Sequence, residues 1–337
     1  MKSENLFIIE SFFKNPNQYL ILEQTQIYKN MAVIPIILKE DYYLDFITFQ
    51  EAEKLNLIKI METGSVGKLK VINNSDKDVL IPFGTTVRGG KQDRTIWEPI
   101  LIPAYNKNHS EYNLKRKNEK IYDIPAKCIE ESRWSYIHNK KFKSTSVKLH
   151  PNIAFHAISD NGQGEVWEGI KLFRREMKIN HRYAPTNSYL DVSKTLKKKT
   201  KIFSKNFTNV KNQCGIIAFI NGKLIGLEFY ANPNAWKFLN NSVIEAFAIE
   251  AIRLSQDVHI SQNSINFDEK FNKILKSIEF NFSTKKGIGL GAVIEFNSGM
   301  NDWRGISLVY HETMVQFYLI KNSGQSFSKF RGNSIII

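Results

Sequence analysis

GTTVRGGKQDRT, residues 84–95, sets two adjacent glycines between an arginine and a Lys-Gln-Asp-Arg cluster. Within it, RGGKQDR (88–94) follows the apolar run 79–83 and precedes TIWEPIL (95–101), so it reads as a connection between two strands, not as the start of a helix. That excludes a nucleoside-triphosphate loop, which needs Gly-x-x-x-x-Gly-Lys-Ser/Thr opening a helix; here Gly84 to Gly89 is the wrong spacing, and Gly90-Lys91 is followed by Gln92. Adjacent glycines in a strand connection, here Gly89 and Gly90, can take positive φ, turn successive N–H groups into a concavity and let an anion approach the backbone. Arg88, Lys91 and Arg94 would add charge-assisted bonds, bidentate from the arginines, while Gln92 or Asp93 would meet a ribose hydroxyl or an adenine edge. The competing reading is a bulged, solvent-exposed hairpin end with a G1-type glycine.

Working outward, MAVIPIIL (31–38) is an apolar run of strand length, and 48–64 reads as a short helix behind an N-cap at Thr48. KLKVINNSDKDVLIPFGTTV (68–87) holds two apolar runs around a turn-forming NNSDKD, the pattern of a β-hairpin or meander. Runs at 95–104 and 121–131 add further strands. Amphipathic helices are expected at 165–178 and 189–203. In 214–230, Asn221-Gly222 lies between two apolar runs, a tight hairpin signal. A long helix begins at Asn232-Pro233, and strands at 278–282, 292–297, 305–311 and 313–320 close the chain. GIGLG (287–291) has no helix after it and reads as a turn entering a strand.

The fold class is therefore α+β: two β-rich halves, sandwich- or barrel-like, joined by a helical connector, with a long helix in the second half. The expected divisions are a β-rich domain at 1–150, a helical connector at 151–212, an α+β domain at 213–320 and a tail at 321–337.

Composition narrows the partners. The chain has 337 residues, 42% hydrophobic and 12% aromatic, outside the signature of disorder. Two cysteines, Cys128 and Cys214, make neither a disulfide framework nor a zinc knuckle, which fits a reducing cytoplasm; no metal and no bound cofactor is predicted. The N-terminal segment lacks the pattern of a signal peptide, and no run is long enough to span a membrane. The net charge of +14 is carried by scattered lysines, so a solvated surface competes with a polyanion site. Nucleic acid, through the basic stretch 194–205, is the less favoured partner, because no nucleic-acid-binding motif appears.

CIEESRWSY (128–136) is the second candidate. Arg133-Trp134 offers a guanidinium beside an indole: Arg133 could pair with Glu130 or a ligand phosphate, and Trp134 could stack on a base. Cys128 either has a thiol pKa lowered by nearby arginines or is a small buried hydrophobe.

These residues carry a resemblance. FGTTVRGGKQDRTI, IPAKCIEESRWSY, VWEGIKLF, residues 216–251, and GIGLGAVIEF with GISLVYHETMVQFYLI are similar to the ADP-ribosylglycohydrolase- and rhodanese-phosphatase-associated protein family, over about 42–320. The resemblance points to Gly84, Gly89, Lys91, Gln92, Asp93 and Arg94, with Cys128, Glu130, Arg133 and Trp134. It implies an accessory of NAD or ADP-ribose metabolism that binds a small phosphorylated nucleotide-type ligand such as NAD or ADP-ribose. A non-enzymatic scaffold module is the alternative. Thr85 stands where relatives often have an acidic residue, the lysine-rich insertion 106–120 is atypical, and no catalytic residue is assigned.

Overall fold

The computed structural model describes residues 2–105, 120–135, 142–158, 162–255, 265–299 and 302–324. Most of the lysine-rich insertion and of the C-terminal tail lies outside them. Among the described residues the strands form three sheets, with helices between and over them, an α+β architecture as the sequence implies.

The largest sheet is antiparallel. Leu20–Leu22 and Gln26–Tyr28 share one edge of Met31–Leu38, whose other edge pairs with Gly215–Ile220. Lys223–Tyr230, Thr313–Lys321, Trp303–Tyr310, Ala292–Ser298 and Phe280–Lys286 follow in order. A strand from the N-terminal part of the chain thus sits inside a sheet made mostly by the last third. The cause is local composition: Met31–Leu38 is apolar on both faces and almost wholly buried, so it needs partners on both edges and cover on both sides.

Pro233–Arg253 packs against this sheet, its first turn closed by Asn232, whose Oδ1 accepts the N–H of Asn234 at 2.8 Å. Lys2–Lys14, which the sequence reading did not assign, sets Phe12 4.6 Å from the Phe317 ring and stacks Phe13 on Phe280 at 4.3 Å. Among the described residues no helix is long and apolar enough to cross a membrane.

A second sheet runs Phe142–Lys148, Thr85–Gly89, Arg94–Ile96, Tyr122–Cys128, Lys68–Asn73, Ile58–Glu62; a third joins Ile100–Ile102, Val79–Ile81 and Ile47–Thr48. They enclose a smaller core of Phe49, Val71, Val87, Ile96, Ile124 and Phe142 among others. The expected hairpin at 68–87 does not form, because its two strands enter different sheets. Asn73 makes the break: its Oδ1 caps the N–H of Ser75 at 2.9 Å and its Nδ2 bonds the carbonyls of Lys77 and Pro103 at 3.0 and 2.9 Å, turning the chain out of the second sheet toward the third. TIWEPILIPA is likewise two short strands in two sheets.

Other local signals are realised. Thr48 forms a full capping box with Glu51 ahead of Phe49–Lys54. Asn221 and Gly222 have φ of 50° and 71°, the twist a two-residue hairpin needs. GIGLG is a turn, and it clasps two sheets: the Leu290 N–H donates to the Leu101 carbonyl at 2.9 Å. Gly289, at φ +81°, lies where an added Cβ would be 2.2 Å from that carbonyl oxygen. Gly289→Ala should therefore cost about 2–4 kcal/mol in urea unfolding. Gly67→Ala, with nothing within 4 Å of the new methyl, should stay within about 0.5 kcal/mol of wild type.

Candidate functional site

Thr85–Gly89 and Arg94–Ile96 pair antiparallel, so residues 90–93 form the tip between them. Tyr122–Cys128 lies on the other edge of Arg94–Ile96 with Cys128 opposite Arg94, and residues 129–134 therefore emerge beside that tip. The two stretches singled out in the sequence meet: Arg133 Nη1 donates to the Gly90 carbonyl at 3.0 Å.

The glycines do take positive φ, 128° at Gly89 and 53° at Gly90. What approaches them is the protein itself. A Cβ on Gly90 would lie 2.3 Å from Cζ of Phe142 and 2.6 Å from Oε2 of Glu62. The amides are likewise taken from within, the Lys91 N–H by Glu62 Oε2 at 3.2 Å and the Gly89 N–H by Asp93 Oδ1 at 3.3 Å.

Alternating charges hold the tip to the second stretch. The buried Glu130 carboxylate accepts Arg133 Nε at 2.9 Å and Nη2 at 2.7 Å, the Asp93 N–H at 3.0 Å and Thr186 Oγ1 at 2.7 Å. Asp93 accepts Ser188 Oγ at 2.9 Å and lies 3.4 Å from both Arg88 Nε and Arg133 Nη2. Arg88 reaches on to Asp191 at 2.6 Å. Burial, then the neighbouring Glu130, raises the Asp93 pKa against the opposing pull of Arg88 and Ser188. The second Arg133 Nη1 hydrogen goes to the Ser135 carbonyl at 2.6 Å, so all five guanidinium donors are used inside the chain. Gln92 is also internal: Nε2 donates to the Glu130 carbonyl at 2.8 Å, and Oε1 accepts from Cys128 Sγ at 3.1 Å and from Arg94.

Arg94 differs. It is completely buried, and among the described residues it forms no ion pair and its Nε and Nη2 have no hydrogen-bond partner. Nη1 alone is engaged, with Cys128 Sγ at 2.8 Å and Gln92 Oε1 at 3.3 Å. Each unmade buried bond costs about 1–3 kcal/mol. Burial pushes the Cys128 thiol up to about 11 in spite of Arg94, so of the two readings of this residue the depth of the side chain agrees with the small buried one and not with a lowered thiol pKa. Above Arg94 lies Trp134, 48% exposed, its ring centre 5.8 Å from the guanidinium carbon and 5.0 Å from Lys91 Nζ.

Gly84 belongs to a second polar centre that the sequence reading missed. A Cβ on it would lie 3.5 Å from Lys148, whose Nζ is 2.9 Å from Glu228 Oε1. Glu228 also receives Tyr230 Oη and Gln316 Nε2. Its signal was a lone carboxylate in the apolar run LIGLEFY. Nearby His150 is wholly buried, with Nδ1 3.2 Å from Tyr189 Oη.

A β-rich α+β protein with two motif loops fastened to each other is the class these features define. The family model described as ARG and Rhodanese-Phosphatase-superfamily-associated Protein domain matches residues 20–320, and the chain belongs to that family. No curated protein and no solved structure matches it.

Burial lowers the His150 pKa from 6.5 to about 3. The unfolded imidazole thus takes a proton near pH 6.5 that the folded one refuses, and the stability held above pH 6.5 is lost as pH falls toward 3. His156, lowered to about 4 by burial, acts in the same direction. His150→Gln should flatten the plot of unfolding free energy against pH between 6.5 and 4; an unchanged slope would mean the side chain does not titrate there.

Proposed function

We propose that this chain binds an ADP-ribose-like or NAD-derived phosphate ligand at the corner made by Trp134, Lys91 and Arg94, as an accessory of NAD or ADP-ribose metabolism. The family's name, which links it to the ADP-ribosylglycohydrolase and rhodanese-phosphatase superfamilies, supports the metabolic setting. The observation that carries the reading is the half-exposed indole flanked by one ammonium and one guanidinium. A base stacks on such a ring at about 1–3 kcal/mol, and the two cations suit a phosphate. Within this reading Gln92, Asp93, Glu130, Arg133 and the Gly89-Gly90 backbone shape the site and do not touch the ligand.

A second reading has one observation in its favour: the donors of Arg133 and the Nε2 of Gln92 are used within the chain, as in a non-enzymatic module whose motif only fastens loops. Calorimetry with NAD, ADP-ribose and AMP separates the two. Binding is expected for at least one, weakened about 5- to 100-fold by Trp134→Ala and several-fold by Lys91→Ala, with neither change moving the melting temperature by more than a few degrees. Arg133→Ala should instead lower stability by about 3–5 kcal/mol, since it leaves Glu130 buried and unpaired. Indifference to all three ligands at millimolar concentration, with only the Arg133 effect present, would favour the fastening module.

A further inference from the structure

The three arginines of the two motifs differ in what they are bonded to. Arg88 faces Asp93 and Asp191, and Arg133 faces Glu130 and Asp93. Arg94 faces no carboxylate among the described residues, although it is the most deeply buried of the three. Its engaged nitrogen is Nη1, held by Cys128 Sγ at 2.8 Å and by Gln92 Oε1 and O at 3.3 and 3.4 Å. These contacts fix the plane of the guanidinium. The two nitrogens with no acceptor, Nε and Nη2, are the pair that forms its side-on fork. Two parallel N–H bonds in that fork match two oxygens of one carboxylate or phosphate group.

We propose that the Nε and Nη2 edge of Arg94 seats a single terminal oxyanion, the phosphomonoester of a mononucleotide-type ligand, whose base stacks on Trp134. This rests on the ligand reading above and narrows it. A fork with no exposed surface is reached by a group at the end of a molecule, whereas a diphosphate esterified at both ends would need room on two sides. The Trp134 ring, half-exposed and 5.8 Å from the Arg94 carbon, would have to give way to admit the phosphate. Charge agrees: the cations next to Trp134 are Arg94 and Lys91, and a phosphomonoester carries about two negative charges near neutral pH. Cys128 and Gln92 act as positioning residues that hold the guanidinium from its other end.

Calorimetry with AMP, ribose 5-phosphate, adenosine and ADP-ribose tests this, together with the Nε–H resonance of Arg94 followed by NMR in the full chain. AMP is expected to bind at least tenfold more tightly than ADP-ribose, ribose 5-phosphate to bind measurably, and adenosine not to bind. The Arg94 resonance should move with AMP and stay put with adenosine. Arg94→Lys, which keeps the charge and loses the fork, should weaken AMP at least tenfold; the NMR readout on the unmodified protein stands even if that variant folds poorly. ADP-ribose binding as tightly as AMP, or AMP binding with the Arg94 signal unmoved, would overturn the phosphate seat while leaving the broader ligand reading in place. Silence from all four compounds and from NAD would remove both.

Discussion

A buried ammonium and a buried carboxylate hold the β systems of this protein against each other. Lys148 ends the strand Phe142–Lys148 of the second sheet, and Glu228 lies inside Lys223–Tyr230 of the largest one. Their 2.9 Å contact is supported on both sides: Lys148 also donates to the Phe83 carbonyl, and Glu228 also accepts Gln316, whose Oε1 takes the Phe83 N–H at 2.9 Å. Burial pulls the Lys148 pKa down while Glu228 pulls it back up, and the net direction is down. Neither charge is tolerable there without the other, since an unpaired ion in such a place costs several kcal/mol. The consequence reaches the functional region, because Phe83 leads directly into Gly84 and the strand Thr85–Gly89 that carries the motif tip.

The same rule of mutual neutralisation operates at the tip. From the sequence, Arg88, Lys91, Arg94 and Arg133 look like one cationic hollow. In the fold, Asp93, Glu130 and Asp191 are interleaved with them, and two of the three guanidiniums spend themselves inside the protein. The adjacent glycines also serve the interior, since Phe142 and Glu62 occupy the space that side chains would need. Arg94 is the exception, buried without a counter-charge among the described residues and with the half-exposed Trp134 ring beside it.

Several features were readable without the fold because a few neighbouring residues suffice to cause them. Thr48 with Glu51 closes a helix start, Asn221-Gly222 makes a hairpin, and Asn232-Pro233 opens the long helix. That RGGKQDR (88–94) connects two strands followed from the flanking apolar runs, although the strand before it is Thr85–Gly89 and not Val79–Ile81, and the meeting with 128–134 followed once Cys128 paired opposite Arg94. The family could be read from the same two motifs.

Partnership between distant segments could not be read in this way. Nothing local says that Met31–Leu38 pairs with Gly215–Ile220, or that Lys68–Asn73 and Val79–Ile81 part into different sheets. Apolar strands are interchangeable until their faces and edges are matched in three dimensions. The Cys128 thiol makes the point chemically: nearby arginines suggest a low pKa, but the shift is a balance of desolvation against Coulomb attraction, and only the depth at which the fold places the sulfur decides it. Sequence alone determined the locally signalled elements, the two motifs and the family. Tertiary structure decided which charges cancel and that Arg94 has no counter-charge among the described residues, because cancellation depends on distances of a few ångströms between residues that are far apart in the chain.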